Sequence, residues 1–166
     1  LSENTKLYGR FSVREMLSLF GELYGFTKEE VEEQIEEICK LLHMDTFIDN
    51  RIEKLSTGQK QRTSIARCLV HNPDIYIFDE PTLGLDIISS KAIIDFMKQE
   101  KARGKSVLYS THYMEEAEFL CDRIVMIDKG KIIAEGTPEK LKQTTGTSNL
   151  RDTFFAYMEG GIADEL

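Results

Sequence analysis

This sequence of 166 residues makes little use of cysteine and none of tryptophan. Its three cysteines, Cys39, Cys68 and Cys121, stand far apart, and no C-x-x-C pair occurs. Disulfide scaffolds and cysteine-bound zinc sites require paired or clustered cysteines. The sequence therefore indicates neither a disulfide framework nor a zinc site.

Long hydrophobic runs are missing as well. The longest apolar runs are only a few residues, at 75–78 and 124–127, whereas a helix needs about 20 predominantly apolar residues to cross a bilayer. Leu1 is not an initiator methionine, and the residues after it lack the basic-then-apolar layout of a secretory signal. We therefore expect a cytosolic piece of a protein.

Basic residues are fewer than acidic ones: the sequence has 21 Lys and Arg and 29 Asp and Glu, which gives a net charge of −8. An acidic balance of this kind disfavours sequence-independent binding to nucleic-acid phosphates, so we expect no nucleic-acid partner. What is present is ordinary for a soluble globular domain: 41% of the residues are hydrophobic and 30% are charged. The length predicts one domain.

Residues 12 to about 50 show a purely helical pattern. Ser12 and Glu15, and again Thr27 and Glu30, have the spacing of a capping box, which predicts two helix starts. Apolar residues then recur at helical spacing, as Val13, Met16, Leu17, Phe20, Leu23 and Tyr24 in the first segment and Val31, Ile35, Ile38 and Leu42 in the second. The acidic residues between these apolar positions predict a solvated face.

From residue 55 onward, helices and strands alternate. Helices are predicted at about 57–71, 88–103 and 113–121, from Thr137-Pro138 onward and through Leu150–Met158, and strands at 75–78, 106–110, 123–128 and 131–135. The last two strands flank Asp128-Lys129-Gly130, which predicts a hairpin turn. The run 75–78 is wholly apolar, which predicts a strand covered on both faces. Strands separated by helices are typical of an α/β layered core with a mostly parallel sheet, and the helical zone would pack beside it.

Two adjacent acids, Asp79 and Glu80, follow the apolar strand directly. In open α/β sheets, ligands bind at the carboxyl ends of the strands. One acid at such a position can hold a metal ion and the other can face a reacting water. For these two residues alone, a pair of acids in a surface loop is an equally good interpretation.

The segment Ser56-Thr57-Gly58-Gln59 stands at the start of a predicted helix. Ser56 and Gln59 fit a capping box, and Gly58 allows close approach of the backbone to a ligand. A helix start with a hydroxyl and unpaired N–H groups can bind an anion, but its dipole contributes only about 0.3–1 kcal/mol at an exposed site. Taken alone, the segment is more typical of a well-capped helix.

One of the three histidines, His112, also follows a predicted strand, at 106–110, and precedes a helix. An imidazole at this position can contact a phosphate oxygen. His43 and His71 lie within predicted helices, where a packing or surface role is the better interpretation.

The combination is far more specific than any one segment. L-S-x-G-Q-x-Q-R, four apolar residues followed by D-E-P-T, then G-L-D and S-T-H occur in a fixed order with short spacings. This set closely resembles the carboxyl-terminal part of the ATP-binding domain of ABC transporters, over nearly the whole chain. In this resemblance, 55–59 corresponds to the signature motif, 75–79 to Walker B, Glu80 to the catalytic carboxylate, 85–86 to the D-loop and His112 to the switch histidine.

The resemblance implies a P-loop NTPase-type α/β core with an ABC-type helical subdomain, lacking the amino-terminal portion of the domain. The implied division is a Q-loop-like segment at 1–11, the helical subdomain with the signature helix at 12–71, the carboxyl-terminal part of the nucleotide-binding core at 72–136 and a helical tail at 137–166.

The resemblance also implies a mechanism in which two such domains close head to tail on ATP. Asp79 would position Mg²⁺, Glu80 would polarise the attacking water, and His112 would contact the γ-phosphate. The opposing copy would contribute its own signature residues and D-loop aspartate to the same nucleotide, namely Ser56, Thr57, Gly58, Gln59 and Asp86. Such phosphoryl transfer depends on positioning and charge neutralisation.

The main departure from the family is that no G-x-x-x-x-G-K-[ST] occurs, although this loop cradles the phosphates. Gly104-Lys105-Ser106 does not replace it, because Gln99 stands where the first glycine belongs and a strand follows. We therefore expect the isolated chain neither to bind ATP with the affinity of the family nor to hydrolyse it. Two smaller departures are Thr57, in place of the usual first glycine of the signature, and Glu3, in place of the usual metal-binding glutamine.

The implied function is that of an ATP-hydrolysing subunit that powers export, and the resemblance is strongest to sodium-extruding exporters. Its partners would be a second ATP-binding domain and a transmembrane permease, at the inner face of the cell membrane. DNA-repair ATPases share these motifs but insert a long coiled coil, for which the helical zone 12–50 is too short. A truncated, non-enzymatic module that binds or regulates an intact ABC ATPase remains the alternative.

Overall fold

The computed structural model describes residues 7–160, and these form two compact units that divide after Ser110. Each unit is described by itself. In the first unit the elements are α1 (Val13–Leu23), α2 (Lys28–Leu41), a short 3₁₀ helix (Ile52–Lys54), α3 (Thr57–Leu69), β1 (Ile75–Asp79), α4 (Ile87–Ala102) and β2 (Ser106–Ser110). In the second they are α5 (Met114–Leu120), β3 (Ile124–Asp128), β4 (Lys131–Gly136), α6 (Pro138–Thr145) and α7 (Leu150–Gly160).

Helices α1 and α2 begin where the capping boxes predict. The Ser12 hydroxyl accepts a hydrogen bond from the Glu15 backbone N–H at 3.1 Å, while the Glu15 carboxylate accepts one from the Ser12 N–H at 2.7 Å. Thr27 and Glu30 make the same reciprocal pair. These bonds satisfy N–H groups that the first helical turn otherwise leaves unpaired.

Helices α1, α2 and α3 pack against one another through apolar side chains. The close approach of α1 to α2 depends on Gly21, since a Cβ there would lie 2.5 Å from a methyl group of Val31. The buried core of this layer includes Met16, Leu17, Val31, Ile35 and Ile65.

Strands β1 and β2 form a two-stranded parallel sheet in which Asp79 pairs with Ser110 at the carboxyl ends. Tyr76 and Phe78 are buried against Phe96 of α4, with edge-to-face ring contacts at 5.7 and 6.1 Å. The prediction that β1 is covered on both faces is wrong, because Ile75 and Ile77 are 64% and 61% exposed. Within the described residues the sheet has only two strands, and its second face is open to solvent.

The second unit contains the predicted hairpin, an antiparallel pair of β3 and β4. Lys129 and Gly130 both have positive φ, 47° and 76°, as the tight hairpin turn requires. Met126, Ala134, Leu141, Leu150 and Tyr157 form its buried core. No helix within residues 7–160 is both long and apolar enough to cross a bilayer.

Candidate active site

The paired acids lie where the sequence predicts, at the carboxyl end of β1. Asp79 is the last residue of the strand, and Glu80 follows it with φ = 45°, a left-handed conformation that non-glycine residues rarely adopt. The turn continues with a hydrogen bond from the Leu83 N–H to the Glu80 carbonyl at 3.2 Å. A backbone held in a sparsely populated conformation is often found at functional sites.

Ser110, at the end of β2, bonds to both acidic residues. Its hydroxyl donates to Asp79 Oδ1 at 2.6 Å, and the same oxygen accepts from the Glu80 backbone N–H at 3.1 Å. The Ser110 carbonyl also accepts from the Glu80 N–H, at 3.2 Å. The parallel register therefore fixes the two acids through one neighbouring residue.

The Ser56–Gln59 segment is the capped start of α3, as predicted. The Ser56 hydroxyl accepts from the Gln59 backbone N–H at 3.2 Å, and Gln59 Oε1 accepts from the Ser56 N–H at 2.9 Å. Ser56 and Thr57 are exposed, whereas Gly58 is buried. A hydroxyl that accepts one hydrogen bond still has a proton to donate, so the cap is compatible with binding an anion.

Gly58 lies directly against the start of α4. A Cβ at Gly58 would be 2.4 Å from Ser89 Oγ and 3.3 Å from an oxygen of Asp86. Asp86 is the N-cap of α4, accepting from the Ser89 N–H at 2.9 Å and from the Ser89 hydroxyl at 2.8 Å. These bonds, the backbone one first, lower the pKa of the Asp86 carboxyl, so it is held as a carboxylate.

A cleft of about 570 Å³ runs between α3 and the turn after β1. Thr57, Lys60 and Gln61 line it from the helix, and Glu80 and Leu85 line it from the turn and the following loop. The structure thus places one signature residue and the predicted catalytic carboxylate on a single cleft of the first unit.

Arg62, the last residue of the motif L-S-x-G-Q-x-Q-R, has a structural role. Arg62 donates to the backbone carbonyls of Leu42 and His43 at 3.1 and 2.9 Å, and it lies over the Phe47 ring at 5.0 Å. Burial lowers the pKa of Arg62 from its ordinary high value, which leaves it a cation. It therefore anchors α3 to the end of α2, where the helix carbonyls have no intrahelical partner.

Two predicted site residues, His112 and Glu3, are not among the described residues of the first unit. His112 belongs to the second unit, where it is exposed and its ring centroid lies 4.2 Å from that of Tyr113. Glu3 lies outside the described residues, so its metal-binding role stays a prediction.

The side chains at this site fit a magnesium ion that takes one protein carboxylate and most of its other ligands from phosphate oxygens and water. Within residues 7–160, no three His, Cys, Asp or Glu side chains gather into a protein-only metal site. Mg²⁺ in nucleotide enzymes takes one or two carboxylates and completes its shell with phosphate oxygens and water. An exposed carboxylate at a strand end, such as that of Asp79, is a suitable donor for this arrangement.

Sequence reasoning gave no role to Ser110, Gln61 or Ser89, although Ser110 and Gln61 lie within the motifs S-T-H and L-S-x-G-Q-x-Q-R. The signal for Ser110 was available, since parallel strands end at the same edge of a sheet and 106–110 was a predicted strand. Gln61 and Ser89 had no comparable signal, because their contacts depend on how α3 packs against β1 and α4.

Comparison with known proteins yields consistent matches. A family model described as ABC transporter matches residues 1–83. The ABC transporter ATP-binding protein NatA of Bacillus subtilis is 40% identical over 159 residues, which are 96% of this chain and 65% of NatA. The linearmycin resistance ATP-binding protein LnrL of Bacillus subtilis is 39% identical over 84% of this chain and 45% of its own length.

A third relative, the Nod factor export ATP-binding protein I of Paraburkholderia xenovorans, is 40% identical over 79% of this chain and 43% of its own length. A solved structure of the ATP binding subunit of an ABC transporter superposes with a TM-score of 0.83 at 28% identity, covering 95% of this chain and 66% of that one. The chain thus spans between about two fifths and two thirds of the lengths of these proteins.

Proposed function

We propose, because this chain belongs to the ABC transporter family, that it is the carboxyl-terminal part of an ATP-hydrolysing subunit that powers export across a membrane. The observation that carries the proposal is the pair Asp79 and Glu80, which bonds to Ser110 at the carboxyl edge of the parallel sheet. Of the two acids, Glu80 also lines the cleft beside the signature helix. This edge is where α/β sheets bind their ligands.

In the proposed reaction, Asp79 holds the magnesium ion and Glu80 orients and polarises the water that attacks the γ-phosphate. Magnesium, when bound, neutralises charge on the β- and γ-phosphate oxygens. His112, which follows β2 in the sequence, contacts the γ-phosphate in this proposal. The chain itself forms no covalent intermediate, since its residues act by position and charge.

The exposed start of α3 serves the nucleotide of an opposing copy in this proposal. Ser56 and Thr57 present a hydroxyl each, and the helix start favours negative charge. Gly58 and Gln59 bring the backbone of the first turn to the γ-phosphate, and Asp86 reaches the same head-to-tail interface. The active unit is accordingly a dimer of ATP-binding domains on a permease, peripheral to the inner face of the membrane.

The 166 residues contain no phosphate-binding lysine loop. Because that loop provides most of the contacts to the phosphates, we expect the isolated chain to be inactive, and its self-association not to restore activity. Calorimetry of the isolated chain with Mg-ATP is expected to show no binding, and a micromolar dissociation constant would contradict this expectation. We expect the complete reading frame around this sequence to encode such a loop.

The catalytic assignment is tested on the polypeptide encoded by that complete reading frame. Glu80→Gln keeps the shape of the side chain but removes the base, so hydrolysis should fall about 100-fold or more while ATP binding persists. Glu33→Gln, an exposed residue of α2, is the matched control and should leave hydrolysis unchanged. Equal loss in both variants, or none in Glu80→Gln, would contradict the assignment.

Sodium ions are the proposed cargo, on the basis of the segment Leu7-Tyr8-Gly9-Arg10-Phe11-Ser12-Val13-Arg14-Glu15-Met16, which resembles sodium-extruding members of the family. The test uses the complete protein with its permease in vesicles and measures ATP-dependent movement of ²²Na⁺. Transport that is driven by ATP but carries no sodium would keep the exporter assignment and remove this cargo.

A regulatory module is the second candidate, favoured by a well-capped signature segment in a sequence without a phosphate-binding loop. Such a module would contribute its α3 to the nucleotide of an intact partner. Adding the 166-residue chain to an intact ABC ATPase should then change its rate, and Ser56→Ala should abolish the change. A reading frame without the lysine loop would favour this candidate over the first.

A further inference from the structure

Ser110 is the first residue of the S-T-H motif, to which the resemblance gives no role of its own, and it bonds to both acidic residues of the site. It is the register partner of Asp79 and the last residue of β2. Its hydroxyl donates to Asp79 Oδ1 at 2.6 Å and accepts from the Glu80 N–H at 3.1 Å. Ser110 Oγ therefore holds both the side chain of Asp79 and the backbone of Glu80.

The donated bond has the length of a strong interaction. An O–H···O⁻ bond between 2.5 and 2.7 Å is charge-assisted and about twice as strong as a bond between neutral groups. A carboxylate held through one oxygen cannot rotate freely about its terminal torsion, which is otherwise broad. The bond therefore fixes the plane of the Asp79 carboxylate.

The accepted bond acts on the next residue. Glu80 has φ = 45°, which costs energy for a residue with a Cβ, and its N–H is held by both the hydroxyl and the carbonyl of Ser110. These two bonds stabilise the turn that sets the direction in which the Glu80 side chain leaves the backbone.

We propose that Ser110 is a positioning residue for ATP hydrolysis, acting through Asp79 on the metal ion and through Glu80 on the attacking water. The proposal rests on the proposed function and deepens it. A hydrogen bond that orients a metal-binding side chain is worth about 10- to 100-fold in metal affinity or activity. In this proposal Ser110 acts only through its bonds to Asp79 and Glu80.

The test compares Ser110→Ala, Ser110→Thr and a matched control in the complete protein. Ser106→Ala removes a hydroxyl from an exposed serine at the opposite end of the same strand. The first readout is the affinity for Mn²⁺ in the presence of a non-hydrolysable ATP analogue, measured by electron paramagnetic resonance. The second is kcat and KM for ATP, and thermal unfolding verifies that all variants are folded.

We expect Ser110→Ala to weaken Mn²⁺ binding about 10-fold or more and to lower kcat, with little change in KM for ATP. Ser110→Thr should restore both values, because its hydroxyl can make the same two bonds. Ser106→Ala should match the unmodified protein.

Two outcomes separate this inference from the function on which it rests. If the unmodified protein hydrolyses ATP and Glu80→Gln does not, but Ser110→Ala binds Mn²⁺ and turns over normally, the positioning role is wrong and the function stands. A loss in Ser110→Ala that threonine does not restore would also overturn the role. If the unmodified protein binds no Mn²⁺ with nucleotide, both proposals fail together.

Discussion

The side-chain amide of Gln61 donates a hydrogen bond to the backbone carbonyl of Pro81, with Nε2 and O 3.1 Å apart. Gln61 belongs to α3, whose first turn is proposed to serve the nucleotide of the opposing copy. Pro81 follows Glu80, which is proposed to serve the nucleotide of its own copy. One partly buried bond therefore joins two segments that are proposed to act on different nucleotides.

We predict that Gln61→Ala weakens the coupling between the two ATP sites. The substitution removes the bond and leaves the Pro81 carbonyl without this donor, at a cost of about 1 kcal/mol in the free energy of unfolding. In the complete protein, the Hill coefficient for ATP hydrolysis should fall towards one, with a smaller effect on KM. Gln99→Ala, an exposed glutamine of α4, is the control. Unchanged cooperativity in a folded Gln61→Ala protein would contradict the prediction.

Gly58 is predicted to be required for packing as well as for nucleotide access. In Gly58→Ala the new methyl group would lie 2.4 Å from Ser89 Oγ, and Ser89 cannot turn away without losing its bond to the Asp86 cap. Overpacking of this kind costs about 1–3 kcal/mol, so denaturant unfolding without nucleotide should show a lower midpoint.

Gly136→Ala provides the control for that experiment. A Cβ at this position would lie 3.5 Å from Leu141, which is an ordinary contact, and the φ of Gly136 is not in the left-handed region that disfavours alanine. Its stability should stay the same or rise slightly. A Gly58→Ala protein as stable as this control would show that Gly58 has no packing role.

The sequence predicted the parts of the fold that depend on local chemistry. Ser12, Thr27 and Ser56 each start a helix, because a capping box is complete within four residues. The position of Asp79 and Glu80 followed from one short apolar strand and the rule that ligands bind where strands end. These features need no knowledge of distant contacts.

The wrong prediction for the strand faces and the contacts that the sequence did not predict both depend on which distant segments pack together. The apolar run 75–78 predicted two covered faces, yet Ile75 and Ile77 are 64% and 61% exposed. An apolar pattern shows that a strand can be buried on both faces. Whether both faces are buried depends on which other elements pack against the sheet. The bond between Gln61 and Pro81 was invisible for the same reason, since it spans 20 positions of the chain.

Cys39 is predicted to be an unreactive thiol in the folded protein. It is buried at the end of α2, and burial, together with the nearby Asp45, raises its pKa to about 11. Because only the thiolate reacts, about 0.1% of the thiol is reactive at pH 8, against about a quarter for an ordinary cysteine.

The measurement uses a variant in which Cys39 is the only cysteine, made by Cys68→Ser and Cys121→Ser. Its reaction with a disulfide reagent at pH 8 should be at least about 100-fold slower than that of a model thiol, and should reach the model rate in urea. Rapid reaction without denaturant would show that Cys39 is accessible and ionised.

Glu118 is predicted to make the second unit sensitive to acid. Its carboxylate accepts from the Lys142 ammonium group of α6 and, at 3.1 Å, from the backbone N–H of Leu150 at the start of α7. The bond from Lys142 is the main reason that the pKa of Glu118 is lowered below its ordinary 4.5. Since the folded state favours the carboxylate, this contribution to stability is present above pH 4.5 and is lost as the pH falls through the lowered pKa.

Glu118→Gln removes the charge but keeps the size of the side chain. At pH 7 it should lower the free energy of unfolding by about 1 kcal/mol or more, and this difference from the unmodified protein should shrink steadily as the pH is lowered from 5 to about 3. Glu159→Gln, an exposed residue in the last turn of α7, should show no such dependence. If the difference for Glu118→Gln stays constant across this range, the bonds from Lys142 and Leu150 do not favour the ionised form, because a group with the same pKa in both states cannot change stability with pH.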